Sequence, residues 1–262
     1  MSRSNPNTGS SNPSTRWYDW KGDKGVVHYY DKTTQQNVEV PLPFTFILLD
    51  EMATVKGWHD ASDSGIYANE VRDTRQETLV VKAFKGGELA SGIYASIRDR
   101  VGSMGGHFVA NLYIAYRADK GLAIGSLQFK GAALKSWMEF KKASKKGIYE
   151  KAITITGCTE GKKGKVVFQM PDFTLSPISD ASNAAATALD AELQDYLKAY
   201  LSRTKDQAAQ VSAEDLAKAD AAFAGSHDDD AAADQEAARQ AAKRAERSEP
   251  ADDFVDDELP VF

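Results

Sequence analysis

The sequence predicts a mainly β protein followed by a helix and a long acidic extension. Three observations carry this. Short apolar runs with alternating character recur from Val26 to Leu175, separated by Gly-, Asp- and Ser-rich punctuation. Beyond Pro177 the spacing of apolar residues changes from two to between three and four. The charge also splits: residues 1–178 carry 24 Lys+Arg against 18 Asp+Glu, whereas residues 179–262 carry 8 against 20. A basic body joined to an acidic extension suits a polyanion-binding domain with a tethered competitor, and suits a merely solubilised domain as well.

The elements follow in order. Residues 1–15, rich in Ser, Asn and Pro, are expected to be disordered, and residues 16–178 form the domain. Trp17, Tyr18 and Trp20 open it, and Val26–Tyr30 is a short strand. Phe44–Val55 is the first strong strand, and Gly57–Gly65 reads as a loop. Strands follow over Ile66–Arg72 and Thr78–Phe84. Leu89, Ile93, Ile97 and Val101, four apart, predict a helix over 88–101, ended by Gly102, Gly105 and Gly106. In His107–Arg117, Phe108, Ala110, Leu112, Ile114 and Tyr116 form a core face. The opposite set, Val109, Asn111, Tyr113, Ala115 and Arg117, is polar enough to meet solvent or a ligand. A turn at 118–121 leads to a strand over 122–130. A helix over 132–142 groups Ala133, Trp137 and Phe140, and a hairpin pairs 148–157 with 165–175 around a turn at 159–164. Three strands, a helix and two strands is the element order of the OB-fold, a five-stranded Greek-key barrel, here with an extra β-hairpin.

Residues 179–202 predict an amphipathic helix, with Leu189, Leu193, Tyr196, Leu197, Tyr200 and Leu201 on one stripe. That stripe either packs on the barrel or, through 183–201, pairs with another copy. Residues 203–251 read as a flexible Ala- and acid-rich linker, and 252–262, DDFVDDELPVF, as an acidic tip with an apolar end.

The tip and the element order over 44–130 together resemble the single-stranded DNA-binding proteins of bacteria and phages. Those have an OB-fold and an acidic, Phe-ended tail; here one residue more separates the acids from the final Phe. The resemblance implies sequence-independent binding of single-stranded DNA in replication, recombination and repair. It implies that Asp256, Asp257, Glu258, Leu259, Pro260, Val261 and Phe262 recruit partner proteins. The tail acids would also compete with DNA for the protein's own groove.

Such binding needs cations for phosphates and exposed aromatic faces for bases. OB-folds hold the ligand across strands 2 and 3 and the loops flanking strands 1–2 and 4–5. In this sequence those places carry Lys56, Trp58, Tyr67, Arg72, Lys82, Phe84, Lys85, Tyr113, Arg117 and Lys120, with Lys162 and Lys163 extending a phosphate track from the hairpin turn. Trp58 is the leading stacking candidate, because a Gly/Asp/Ser loop offers a tryptophan little core. Trp137, on a helical stripe, reads as core.

Enzymatic readings find little support. The four histidines lack metal-ligand spacing and Cys158 has no companion, so no cofactor or metal is expected. Gly161–Lys165 lacks the phosphate-loop spacing. His59, Asp60 and Asp63 are the one set that could begin a metal-dependent nuclease site. The principal rival is a non-enzymatic assembly scaffold whose acidic tail solubilises. The lone cysteine, the lack of a membrane-length apolar run and the polar N-terminus predict a soluble cytoplasmic protein, in the bacterial host cell if phage-encoded.

Overall fold

The long strand β4 (Phe44–His59) is the spine of the molecule, and its sixteen residues are shared among three partners. A computed structural model describes residues 11–206 of the chain. Eleven strands form one open, mixed sheet: β1 (Arg16–Lys21), β2 (Val26–Asp31), β3 (Gln36–Val40), β4, β5 (Ser64–Ala68), β6 (Leu79–Ala83), β7 (Gly87–Gly92), β8 (Gly106–Ala118), β9 (Gly121–Lys130), β10 (Ala152–Lys163) and β11 (Val166–Ser176). Three helices pack on it: α1 (Tyr94–Ser103), α2 (Gly131–Ser144) and α3 (Asp180–Asp206). The order is β3-β2-β1-β9-β8-β4-β5-β6-β7, with β10 joining β4 and β11 joining β10.

One edge of β4 pairs with β8 from Phe46 to Gly57, with a register shift between Leu48 and Asp50. The other edge is divided. Phe44–Ile47 pairs with β10, and Gly57–His59 pairs with β5. Between them Ala53 exchanges both backbone hydrogen bonds with Val71, at 2.8 and 2.9 Å. On the far side, the edge of β9 is taken by β1, running parallel, with Arg16–Asp19 beside Gly125–Gln128. The hairpin β10–β11 returns to the start of the chain, where the Gln169 amide donates to the Gly22 carbonyl at 2.6 Å and Trp20 Nε1 donates to the Gln169 carbonyl at 2.9 Å.

The first sheet face buries two cores. One gathers Tyr18, Phe46, Leu112, Ile114, Leu127 and Phe129 beneath α2 and β11. Trp137 is fully buried there, stacked on Phe129 at 5.9 Å between centroids, as its helical stripe predicts. The other packs Val55, Ile66, Leu79 and Val81 under Ile97 and Val101 of α1. The second face is covered by α3 over Met52, Tyr113 and Ile124, through Leu193, Tyr196 and Leu197, with a smaller group at Ile47, Ala115 and Ala186. The apolar stripe of α3 is thus spent on the chain's own sheet.

Several expectations are corrected. Helix formation does not begin at residue 88: β7 pairs with β6, and α1 starts only after Gly92, whose φ of 151° breaks any helix running through it. Leu89 and Ile97 do reach one core, from a strand and a helix respectively, while Ile93 stays 39% exposed. The loop expected at 57–65 is shorter, since β4 continues to His59 and only Asp60–Ser62 forms a 3₁₀ turn. The hairpin turns later than expected, at Gly164 (φ 61°) and Lys165, with Lys163 opposite Val166. Gly161 does not end its strand because the Phe168 ring covers it from across the ladder. Of the segment 1–15 expected to be disordered, residues 1–10 lie outside the described residues, and the rest is tied to the sheet. The Thr15 amide donates to the Ile124 carbonyl at 2.8 Å, and Ser14 is buried. The linker beyond Asp206 and the acidic tip at 252–262 lie outside the described residues.

Among the described residues no helix is long and apolar enough to cross a membrane.

Candidate functional site

Alternation along β4, β5 and β6 decides which candidate residues meet. Trp58 lies opposite Gly65 and Lys56 lies two residues earlier, so both project from the second sheet face. Tyr67 lies opposite Lys82 on the same face, and the Phe84 amide donates to the Gly65 carbonyl at 3.1 Å, which extends that register to Phe84. Five of the expected residues, Lys56, Trp58, Tyr67, Lys82 and Phe84, therefore share one patch of one face. Gly65 is its floor. A Cβ there would stand 3.2 Å from the Phe84 ring, so the ring lies down over the glycine, in the row that Trp58 begins.

The three aromatics differ in exposure. Phe84 is 43% exposed, Trp58 is half-buried, and Tyr67 is buried at 7%. Tyr67 and Phe84 are in ring contact, with centroids 4.7 Å apart and planes at 37°. Tyr67 thus backs Phe84, leaving Trp58 and Phe84 to offer faces. Trp58 is fixed by its backbone. A Cβ on Gly57 would lie 2.0 Å from the Gly105 carbonyl oxygen, and a Cβ on Gly105 (φ 87°) would lie 2.1 Å from the Trp58 carbonyl oxygen. Glycine is required at both positions for the strand end to sit against the entrance to β8.

Beside this patch the 60–65 turn is laced by side chains. His59 Nδ1 lies 2.7 Å from Ser62 Oγ, which lies 2.8 Å from Ser64 Oγ. The Lys85 amide donates to Ser64 Oγ at 3.1 Å and its Nζ to the Asp63 carbonyl at 3.3 Å, so Lys85 stands at the rim. Among the described residues no three His, Cys, Asp or Glu side chains gather to hold a metal ion.

The other candidates lie elsewhere. Arg72 turns away from the patch: its Nη2 donates to Asp50 Oδ2 at 2.6 Å and to Gln194 Oε1 at 2.9 Å, tying the β5–β6 connection to α3. Tyr113 is fully buried under α3 and its hydroxyl donates to Glu70 Oε2 at 2.8 Å, so no base can reach its ring. Arg117 and Lys120 are exposed at the opposite end of β8, beyond α3. Lys162 and Lys163 are exposed on the hairpin arm, with Val166 (62%) and Val167 (46%) opposite them. Asp256, Asp257, Glu258, Leu259, Pro260, Val261 and Phe262 are outside the described residues.

Sequence reasoning missed two residues of this face. His107 pairs with Lys56 and Lys130 with Val109, so both extend the second face across β8 and β9. Their signal was register, which requires knowing that β4 and β8 are neighbours. It also missed that the polar residues of this face satisfy one another. Asn111 Nδ2 donates to Glu70 Oε1 at 2.6 Å, while Asn111 Oδ1 accepts from Ser126 Oγ and from Gln128 Nε2, the latter at 3.1 Å. Burial pushes the Glu70 carboxyl above the usual carboxylate range, opposed by hydrogen bonds from Tyr113 and Asn111 and by the charge of Lys56. The Glu70 amide donates to the Tyr200 hydroxyl at 2.9 Å, anchoring the far end of α3 beside the patch.

Comparison with family models, with curated proteins and with solved structures finds no match to this chain.

Proposed function

We propose that the protein binds single-stranded DNA without sequence preference across the second face of β4, β5 and β6. The observation that carries this reading is the shared patch: Trp58 and Phe84 as stacking faces over a glycine floor, with Lys56 and Lys82 in the adjoining row. Bases stack on any aromatic face and phosphates need only cations, so such a surface gives affinity without base reading. The strand order around α1 supports treating β4, β5, β6, β8 and β9 as an OB-like unit, with β1 occupying the outer edge of β9. Lys130 and His107 continue the patch toward β9, and the lysines of the hairpin arm offer a further phosphate contact.

Tyr200, in the last two turns of α3, meets Glu70 at the border of the patch. The chain that follows carries an excess of acid and ends Leu259-Pro260-Val261-Phe262. In this reading it screens the patch when DNA is absent and recruits replication and recombination proteins by its tip.

The decisive experiment is titration of the full chain with oligo-dT at two salt concentrations, following tryptophan fluorescence. Quenching with an affinity that falls steeply with salt is expected. Absence of both, or equal affinity for duplex DNA, would overturn the reading. Removal of 252–262 should tighten binding at low salt and change little at high salt, where the tethered charges are screened.

A further inference from the structure

The hairpin β10–β11 outruns the sheet that carries it. Residues 152–155 of β10 pair with β4, but the ladder between β10 and β11 continues to Lys163 opposite Val166. The arm is gripped where it passes the start of the chain, by the bonds of Gln169 to Gly22 and of Trp20 to Gln169. Gly25 packs so closely there that a Cβ on it would stand 2.6 Å from Cys158 Sγ. Register fixes where the tip emerges. β8 begins beside the end of β4, with Gly106 opposite Gly57, and β9 ends nearby, with Lys130 opposite Val109. β1 runs parallel to β9, so Lys21 and Gly22 lie at that same end. The tip therefore leaves the body at the end of the sheet that carries Trp58.

One side of the tip repeats the construction of the Trp58 patch. Phe173 and Leu175 pack against the first core, so Met170, Phe168 and Val166, which alternate with them, project from the opposite side, in continuation of the second sheet face. Gly161 lies opposite Phe168, and a Cβ on it would collide with the ring, which lies down on the glycine as the Phe84 ring does on Gly65. The next row holds a lysine in both places: Lys82 with Tyr67 in the patch, Lys163 with Val166 on the arm. Phe168 is half-buried, while Val166 and Lys163 are exposed. Among the described residues Lys163 joins no ion pair. Lys162 stands on the other side of the ribbon with Glu160, so it is Lys163 that shares the side of Phe168. Cations also bridge the two places. Asp19 lies beside Gln128, and two residues further Lys21 comes beside Lys130 on the second face, although Asp19 offsets part of that charge.

We infer that Phe168, with Lys163 beside it, is a second base-stacking station for single-stranded DNA, reached by a strand that runs from Trp58 and Phe84 along the end of the sheet past Lys130 and Lys21. The inference rests on the strand-binding reading of the Trp58 patch and lengthens its path. A ring laid on a glycine keeps one face open to a base, and a cation in the next row takes a phosphate, so neither contact reads sequence. Val166 adds apolar surface beside the ring that none of the protein's cores uses. The arm then serves long strands and leaves short ones to the patch.

The test is titration of the full chain with labelled oligo-dT of about six and about twenty nucleotides, which bracket the span of one OB unit. Phe168→Leu keeps an apolar cover on Gly161 and removes the stacking face. It should weaken binding of the long oligonucleotide about fivefold or more and leave the short one within about twofold. Phe168→Tyr should restore the parent affinity. Lys163→Ala, at an exposed position, should lower the salt dependence for the long oligonucleotide alone, and decides the matter even if changes at Phe168 disturb the arm. Equal losses on both lengths, or no loss from either Phe168→Leu or Lys163→Ala, overturn the inference. So does an effect of Phe168→Leu that vanishes when 252–262 is removed, which would assign the arm to the acidic tip, or one that follows a change in molecular mass, which would assign it to a second copy. The two readings fail separately. Failure of the short oligonucleotide to bind would sink the Trp58 patch, while dependence of the long one on Phe168 and Lys163 would leave the arm standing; failure of both to bind sinks both.

Discussion

The second face of the sheet meets two fates along its length. Near Tyr113 it is roofed by Leu193, Tyr196 and Leu197 of α3; near Trp58 it carries half-buried and exposed aromatics beside lysines. Both ends show the same alternation of aromatic and polar residues, and neither end announces by composition which will be covered. The difference lies in the polar groups. At the roofed end Glu70, Asn111, Ser126, Gln128 and Tyr113 close a hydrogen-bonded network, which makes burial tolerable. At the other end the polar residues are lysines, whose charges are costly to bury and useful to a polyanion. An aromatic residue on a strand is therefore core or contact according to which distant element covers its face and how costly its polar neighbours are to bury.

That contrast can be broken most strongly at the roof. Leu197 is fully buried, and Leu197→Ala should cost about 2–5 kcal/mol of stability, read as a lowered denaturation midpoint, while oligo-dT affinity of the folded fraction stays within about twofold. Equal losses in both would show that α3 forms part of the binding surface. Trp58→Ala should do the opposite, weakening strand binding by about 1–3 kcal/mol with little change in melting temperature. A large thermal shift would place Trp58 with the core.

Smaller effects sharpen the comparison. Lys82→Ala should leave stability nearly unchanged and reduce the dependence of log affinity on log salt by about 0.7 for one lost phosphate contact on a single strand; an unchanged slope would remove Lys82 from the path. Glu70→Gln probes the network. Burial raises the Glu70 carboxyl in the folded state, so the native protein holds that proton more tightly than the unfolded chain does. Stability contributed by the group is present at low pH and is lost as pH rises from the unfolded value, about 4.3, through the raised folded one. Relative to the parent, Glu70→Gln should therefore gain stability at pH 8, and the gain should shrink toward pH 4. A gain independent of pH would mean the carboxyl is not perturbed by burial.

The limits of reading the sequence follow from particular residues. Trp137 was legible as core because a helical stripe repeats locally, and the stripe of α3 was legible for the same reason. Tyr113 was not. Strand alternation places it on a face, but only the arrival of α3, some 80 residues later in the chain, decides that the face is closed. Arg72 reads as a cation for phosphate until Asp50 and Gln194 claim it from distant elements. Leu89 and Ile97 show how a four-residue spacing misleads when a glycine at Gly92 changes the backbone between them.

What the sequence determined alone is whatever depends on neighbours within a few residues: the β character of the body, the helical periods of α2 and α3, the glycine turns, and the division of charge between body and extension. The tertiary structure alone decided the register that lines up Trp58, Gly65 and Phe84, the three-way sharing of β4, the parallel β1 beside β9, and the grip of Gly22 on the hairpin arm. The physical reason is range. Backbone propensity and side-chain period act over one or two turns, whereas burial and hydrogen-bond satisfaction depend on which distant segment arrives to cover a face.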